Sequence, residues 1–163
     1  MNIFYLDKNP RDAAQMMCDK HVVKMILESA QMLCTAHRVL DGDDYADRYG
    51  LYKMVHKNHP STIWTRSNTK HYDWLYAHMI ALGDEYTNRY MKTHLTIIKC
   101  KDVLKKPPIG MKTSPFVQPP QAMPDEYKSE CSIKSYWRYY IAEKHTVANK
   151  NETIYEENYT KLA

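Results

Sequence analysis

The stretch Cys18–Arg38, CDKHVVKMILESAQMLCTAHR, constrains this chain more than any other. Read as a helix, it places His21, Lys24, Glu28, Gln31, Thr35 and Arg38 at spacings of three and four, in one narrow polar stripe. Nearly everything else on it is apolar: Val22, Val23, Met25, Ile26, Leu27, Ala30, Met32, Leu33, Ala36 and, just beyond, Val39. A helix lying on a protein surface carries a broad polar face. This one is apolar over most of its circumference, so it is expected to be the buried centre of the fold. The stripe is then either a thin strip reaching solvent or the floor of a polar pocket. A base, an amine, a carboxylate and a guanidinium in a row are more chemistry than solvation needs.

The rest of the chain reads as further helices and one long irregular segment. Ile3–Leu6 is a short extended segment. Asn9 can cap and Pro10 can open a helix to about Met17, with Asp12 near its positive end. The central helix ends at Asp41-Gly42, and Asp43–Tyr49 is an acidic, aromatic surface segment. Leu51–His56 is expected to form a short helix, and Lys57–Pro60 a turn, because a residue before proline is pushed out of the helical region. Ser61–Ser67 makes another short helix. Asn68 or Thr69 then caps a long helix to about Met91, whose apolar positions Leu75, Met79, Leu82 and Tyr86 keep helical spacing. A second line on it, His71, Trp74, His78, Glu85, Arg89 and Lys92, repeats the character of the first stripe. Two such seams can face each other across a cleft. His94–Leu104 is a further helix, stopped by Lys105–Pro108; residues 107–131 are proline-rich and aperiodic, and their stretch Gln121–Tyr127 can lie over a pocket. Ser132 caps a last helix, and 146–163 is a polar, loosely ordered tail. With almost no strand signal the expected fold is all-α: one compact helical domain over 1–163, built around the central buried helix.

Several function classes are disfavoured. No apolar run approaches the ~20 residues of a membrane span, so no membrane partner is expected. The start, MNIFYLDKNP, lacks an apolar signal core, and four cysteines without one point to reduced thiols in a cytoplasm. There is no Gly-rich phosphate loop and no nucleophile elbow, so no cofactor is expected. Cys18-x-x-His21 and Cys34-x-x-His37 look like halves of a metal site, but one continuous helix separates them by roughly 24 Å, and no metal is expected. The net charge of +4 is mildly basic and compatible with nucleic acid. The 14 tyrosines and three tryptophans suit either base stacking or an aromatic core.

The segments MNIFYLD, CDKHVVKMILESAQMLCTAHR, NHPSTIWTRSN, YDWLY, DEYTNRY and QAMPDEYK resemble a family of small proteins encoded by tailed bacteriophages of the T4-like and cyanobacterial groups. That likeness covers most of residues 1–145 and implies the cytoplasm of an infected bacterium. Asn58-His59-Pro60 and Tyr136-Trp137-Arg138-Tyr139-Tyr140, with the extended start and early helix, also resemble the pyrimidine-dimer DNA glycosylases, which are small all-α proteins. That resemblance implies DNA as partner and an N-terminal α-amine that attacks the sugar C1′. Here Asn2 follows Met1. Methionine is usually retained before a residue this large, which puts the amine on Met1, displaced from the family's position.

A glycosylase needs a pocket for a base taken out of the stack, cations for phosphates and a carboxylate near the sugar. Glu28 and Glu85 are the candidate carboxylates, Lys24 a second candidate amine, and His21, His37 and His59 candidate acids or bases. Arg38, Arg66, Asn68, Arg89, Lys92 and Arg138 are candidates for binding the strand. Tyr136 and Tyr140, one turn apart, are candidates for stacking on bases, with Trp137 turned into the core. The plain alternative for each pair, Lys24 with Glu28 or Glu85 with Arg89, is an ordinary surface ion pair worth ~0.3–0.5 kcal/mol. Three functions follow in order of preference: a glycosylase/lyase acting on a flipped-out pyrimidine, a transferase that hypermodifies thymine in phage DNA, and a non-enzymatic phage protein that binds a host partner.

Overall fold

The computed structural model describes residues 1–144, and the expected tail lies outside them. Helices dominate, and no strand is present among the described residues. Asn9 caps α1 (Pro10–Gln15), its side-chain oxygen accepting from the backbone N–H groups of Arg11 and Asp12 at 2.9 and 3.3 Å. A break at Met16–Cys18 separates it from α2 (Asp19–Leu40), the expected central helix. Thirteen of its 22 residues are buried, including the unbroken run Met32–Arg38. A run of seven covers every direction around the axis, so this half of α2 is encased. The first half is not: Val23, Lys24 and Leu27 are exposed and Glu28 half-buried. Val22, Ile26, Leu33 and Ala36 are wholly buried.

Beyond α2, Gly42 takes a left-handed φ of 92° and the chain forms α3 (Asp43–Arg48), a helix the sequence reading missed. The helix expected over Leu51–His56 is absent. Side chains of α2 hold the backbone there: Arg38 donates to the carbonyls of Leu51 and Tyr52 at 2.9 and 2.6 Å, and Thr35 Oγ1 bonds both the N–H and the C=O of Val55. The Val55 N–H, so engaged, cannot also donate into a helical turn. His59 caps α4 (Pro60–Ser67), and Asn68 caps α5 (Thr69–Tyr90), which packs along α2, α1 and α4. α6 (Leu95–Cys100) is shorter than expected. It sits so close to α5 that a Cβ on Gly83 would lie 2.7 Å from Ile97 Cγ1. The proline-rich segment has one 3-10 turn at Asp125–Tyr127, then leads to α7 (Ser132–Tyr139), which continues as a π-helical turn through Lys144. That segment is tied to the body by Trp64 Nε1 donating to Val117 O and Tyr136 Oη donating to Pro120 O.

Candidate functional site around Glu28 and His59

Two left-handed turns bring distant parts of the chain to the open half of α2. At the first, Phe4 has φ 54°, and its ring stacks on His21 with centroids 4.1 Å apart. Asn2 fixes the residues before it. Its Oδ1 accepts from Ile3 N and Phe4 N at 2.7 and 3.0 Å, and its Nδ2 donates to Ala122 O at 2.8 Å. At the second, His56 has φ 45°, and its carbonyl accepts from His59 N at 2.9 Å. A left-handed conformation is uncommon for a residue with a side chain, and such strain persists only where the surroundings enforce it.

The result is a group of charges around His59. Half-burial pulls its pKa below the ordinary histidine value, and repulsion from the Met1 ammonium and from His56 adds to this, while the carboxylate of Glu28 opposes it. The Met1 amine, His56 and the Glu28 carboxylate therefore each lie within electrostatic reach of His59. Neutral imidazole is the favoured form, and its tautomer follows from geometry. Ser61 N–H donates to His59 Nδ1 at 3.1 Å, so the proton sits on Nε2. Neutral His59 thus offers a hydrogen-bond donor. Just after it, the buried hydroxyls of Ser61 and Thr62 have no partner among the described residues. Lys24 Nζ lies 3.4 Å from Glu28 Oε1, its side chain 62% exposed against 15% for Glu28. The carboxylate is sheltered and the ammonium is in solvent.

The other expected site residues lie elsewhere. His21 is buried, with Nδ1 2.7 Å from Tyr140 Oη. His37 is buried between Asp41 and Tyr72, at 2.7 and 2.8 Å. Arg38 is buried against Asp43 and Asp47 as well as the two carbonyls above, so its fork binds protein. Arg66 is half-buried and donates to Lys57 O. Asn68 accepts from Lys70 N and His71 N as the cap of α5. Glu85 pairs with Arg89, which also reaches Asp19 and the carbonyls of Met17 and Gln15, locking α5 to the junction of α1 and α2. Lys92 and Arg138 are exposed. Tyr136 and Tyr140 are wholly buried, so the expected pair of exposed rings is not formed. Trp137 is core, as its register implied, donating to Leu6 O.

The two polar seams do not meet across one cleft. Along α5 the seam turns to its own neighbours: His71 stacks on Trp64 and accepts from Val117 N, and His78 donates to Pro10 O. Lys24, Glu28 and His59 are the expected residues that come together, joined by the amine of Met1 and by His56. Sequence reasoning expected the amine on Met1, displaced from the family's position, and did not select His56 or Asn2 as site residues. The Asx bonds of Asn2 were the one available sign, since Asn commonly folds back on the next backbone N–H groups.

No group of three or more His, Cys, Asp or Glu side chains suited to a metal ion occurs among the described residues, and none of their helices is long and apolar enough to cross a membrane. No curated protein and no solved structure matches the chain. A family model described as pyrimidine dimer DNA glycosylase matches residues 1–99, which hold α1 to α5, the turn at His56 and the whole Glu28–His59 group. With well over half of its length matched, the chain belongs to the pyrimidine dimer DNA glycosylase family.

Proposed function

We propose that this protein excises a pyrimidine from DNA, working on a flipped-out nucleotide at Glu28 and His59. The observation that carries the reading is that an amine and a sheltered carboxylate on the open half of α2 both act electrostatically on a neutral imidazole N–H, in a chain of this family. In its neutral form the Met1 amine attacks C1′ through its lone pair. The C1′–N bond breaks, and the base departs with the bonding electrons and gains a proton. The new C1′–nitrogen bond becomes an imine as the sugar ring opens and the amine gives up its protons. Glu28 stabilises the positive charge that develops at C1′. His59 Nε2–H donates to a leaving-base oxygen. Asn2, bonded to Ala122, holds the amine in place. Lys24 is the second candidate amine. Lys92, Arg66 and Arg138 supply cations for phosphates, whereas Arg38 and Arg89 act through the folded framework. The proposed setting is the cytoplasm of an infected bacterium, on the phage likeness.

The test is incubation with ultraviolet-irradiated, otherwise modified and intact oligonucleotides, with and without borohydride. Strand cleavage, base loss and mass gain are read together. The expected result is base loss from irradiated DNA and a trapped adduct that maps to the Met1 peptide. An adduct on Lys24 would transfer the nucleophile to that residue. Glu28→Gln should lower the rate by about a hundredfold or more, on the scale of removing one electrostatic stabiliser. Mass gain on DNA without base loss would replace this reading with the thymine-modifying transferase. No change in any oligonucleotide would leave a binding protein.

A further inference from the structure

The outer face of α6 is apolar where a protein surface is ordinarily polar. Leu95 is 74% exposed and Ile98 68%, and Met91, the left-handed cap of α5 that leads into this helix, is 86% exposed. Leu95 and Ile98 are three apart on one helix, so they are neighbours on its surface. Single exposed apolar residues are ordinary, but grouped ones mark an interaction surface.

These side chains do not face outward because the helix is loose. Its opposite face is fixed: Thr96 and Cys100 are buried, Tyr52 Oη lies 3.2 Å from Thr96 Oγ1, and Ile97 packs on Gly83. His94 caps the helix, its Nδ1 accepting from Thr96 N. The turn that follows is bonded to α5, with Tyr76 Oη donating to Lys101 O at 2.7 Å and Tyr72 Oη to Leu104 O at 2.8 Å. Leu95 and Ile98 thus stand on an ordered base, which lowers the cost of covering them.

Charge says what covers them. Between Leu95 and Lys106 stand four exposed lysines, Lys99, Lys101, Lys105 and Lys106, and one acid, Asp102. That stretch carries three of the chain's four excess positive charges. The lysines that pair with carboxylates among the described residues are Lys24, Lys53 and Lys128, all outside it. Lys99 is held over the Tyr52 ring at 4.3 Å. An apolar centre with a cationic rim is complemented by apolar side chains flanked by carboxylates.

We infer that the outer face of α6 docks an acidic amphipathic segment of a partner protein. Apolar side chains of that segment cover Met91, Leu95 and Ile98, and its Asp or Glu residues meet the lysines at 99–106. Two other anionic surfaces fit less well. Duplex DNA offers phosphates to the lysines, but little that takes three aliphatic side chains out of water. A bilayer would receive only those three side chains, because the other face of α6 is committed to the body, and so small an apolar insertion binds weakly. The surface uses none of Glu28, His59 and the Met1 amine, so the inference stands apart from the excision reading.

The probe is a fluorescein-labelled helical peptide of leucine and glutamate, about two heptads long, with leucines at spacings of three and four. Its fluorescence anisotropy is followed as the full chain is added. Saturable binding that weakens with salt is expected. Leu95→Gln and Ile98→Gln should each lower the affinity by about tenfold, the scale of losing one interface anchor. Both replacements are uncharged, suit a helix and sit at exposed positions, and circular dichroism checks that each variant is folded. Lys99→Gln together with Lys105→Gln should weaken binding and flatten its salt dependence. Absence of saturable binding overturns the inference. So does equal binding of a peptide of the same composition with its leucines spread around the helix, or affinity that folded Leu95→Gln and Ile98→Gln leave unchanged. Loss in those variants of binding to duplex DNA or to phosphatidylglycerol vesicles would assign the face to that surface and also overturn it. Peptide binding without base excision would retain this inference and remove the glycosylase reading. Excision without peptide binding would do the reverse.

Discussion

His78 gives a stability prediction with a worked magnitude. It is wholly buried on α5, stacked on Trp74 at 4.9 Å, with Nδ1–H donating to Pro10 O at 2.9 Å and Nε2 facing no partner. Burial dominates its titration and lowers its pKa from 6.5 to about 4, with the Pro10 bond opposing. A depressed histidine binds its proton more readily in the unfolded chain. Stability from this residue is thus complete above pH 6.5 and is lost as pH falls toward 4. At pH 5 the two pKa values give a loss of about 2 kcal/mol. His78→Phe keeps a ring of similar size, removes the orphaned nitrogen and gives up one hydrogen bond. Those changes oppose each other, each on the order of 1 kcal/mol, so the variant should lie within about 2 kcal/mol of wild type at pH 7.5. The informative quantity is how that difference moves. Between pH 7.5 and pH 5.0, urea unfolding should shift it by about 2 kcal/mol in favour of His78→Phe. His59, His71 and His94 are also depressed by burial, but they are present in both proteins and cancel. An equal difference at the two pH values would refute the assignment.

Three further outcomes concern the framework. Arg38→Ala leaves two loop carbonyls without their charged donor and should cost about 2–4 kcal/mol in chemical denaturation, whereas a loss below about 0.5 kcal/mol would mark it as a surface residue. Tyr140→Phe removes the hydroxyl that bonds Cys18 N and His21, at 3.1 and 2.7 Å, and should cost about 1–3 kcal/mol by thermal unfolding. Gly83→Ala should be destabilising, because overpacking against Ile97 costs about 1–3 kcal/mol against a helix-propensity gain of about 1. Ile97→Ala in the same chain should then cost less than it does alone, and strictly additive losses in urea would count against the contact.

The residues legible in sequence are those whose fate is decided locally. The apolar circumference of α2 announced its burial, and the caps at Asn9 and Asn68 announced two helix starts. Lys24 and Glu28 were paired by spacing alone. What failed depended on partners far along the chain. His37 and Arg38 share the stripe with Lys24, but Asp41, Tyr72 and the segment 43–52 close over them. The same contacts replaced the expected helix at Leu51–His56. The spacing of Tyr136 and Tyr140 put them on one face correctly, yet could not say that this face is the core. The association of Met1 with His59 needs left-handed turns at Phe4 and His56, and neither position carries the glycine that would signal one.

The two halves of α2 explain why the proposed site is placed where it is. Between Met32 and Arg38 every side chain is buried, so a polar group there must be satisfied by protein, and His37 and Arg38 are. Groups held that way are poor candidates for meeting a substrate. From Val23 to Glu28 the same helix borders solvent, and its polar groups keep free valences. Glu28 lies at the transition, sheltered enough for its charge to act strongly and open enough to be reached. The chain brings an imidazole N–H within electrostatic reach of that carboxylate and of the Met1 amine, by means of two strained residues. Backbone strain of this kind needs compensation elsewhere, and here the bonds of Asn2 and the cap made by His59 supply it. The proposal of chemistry at Glu28, and not farther along the stripe, rests on that division of the helix.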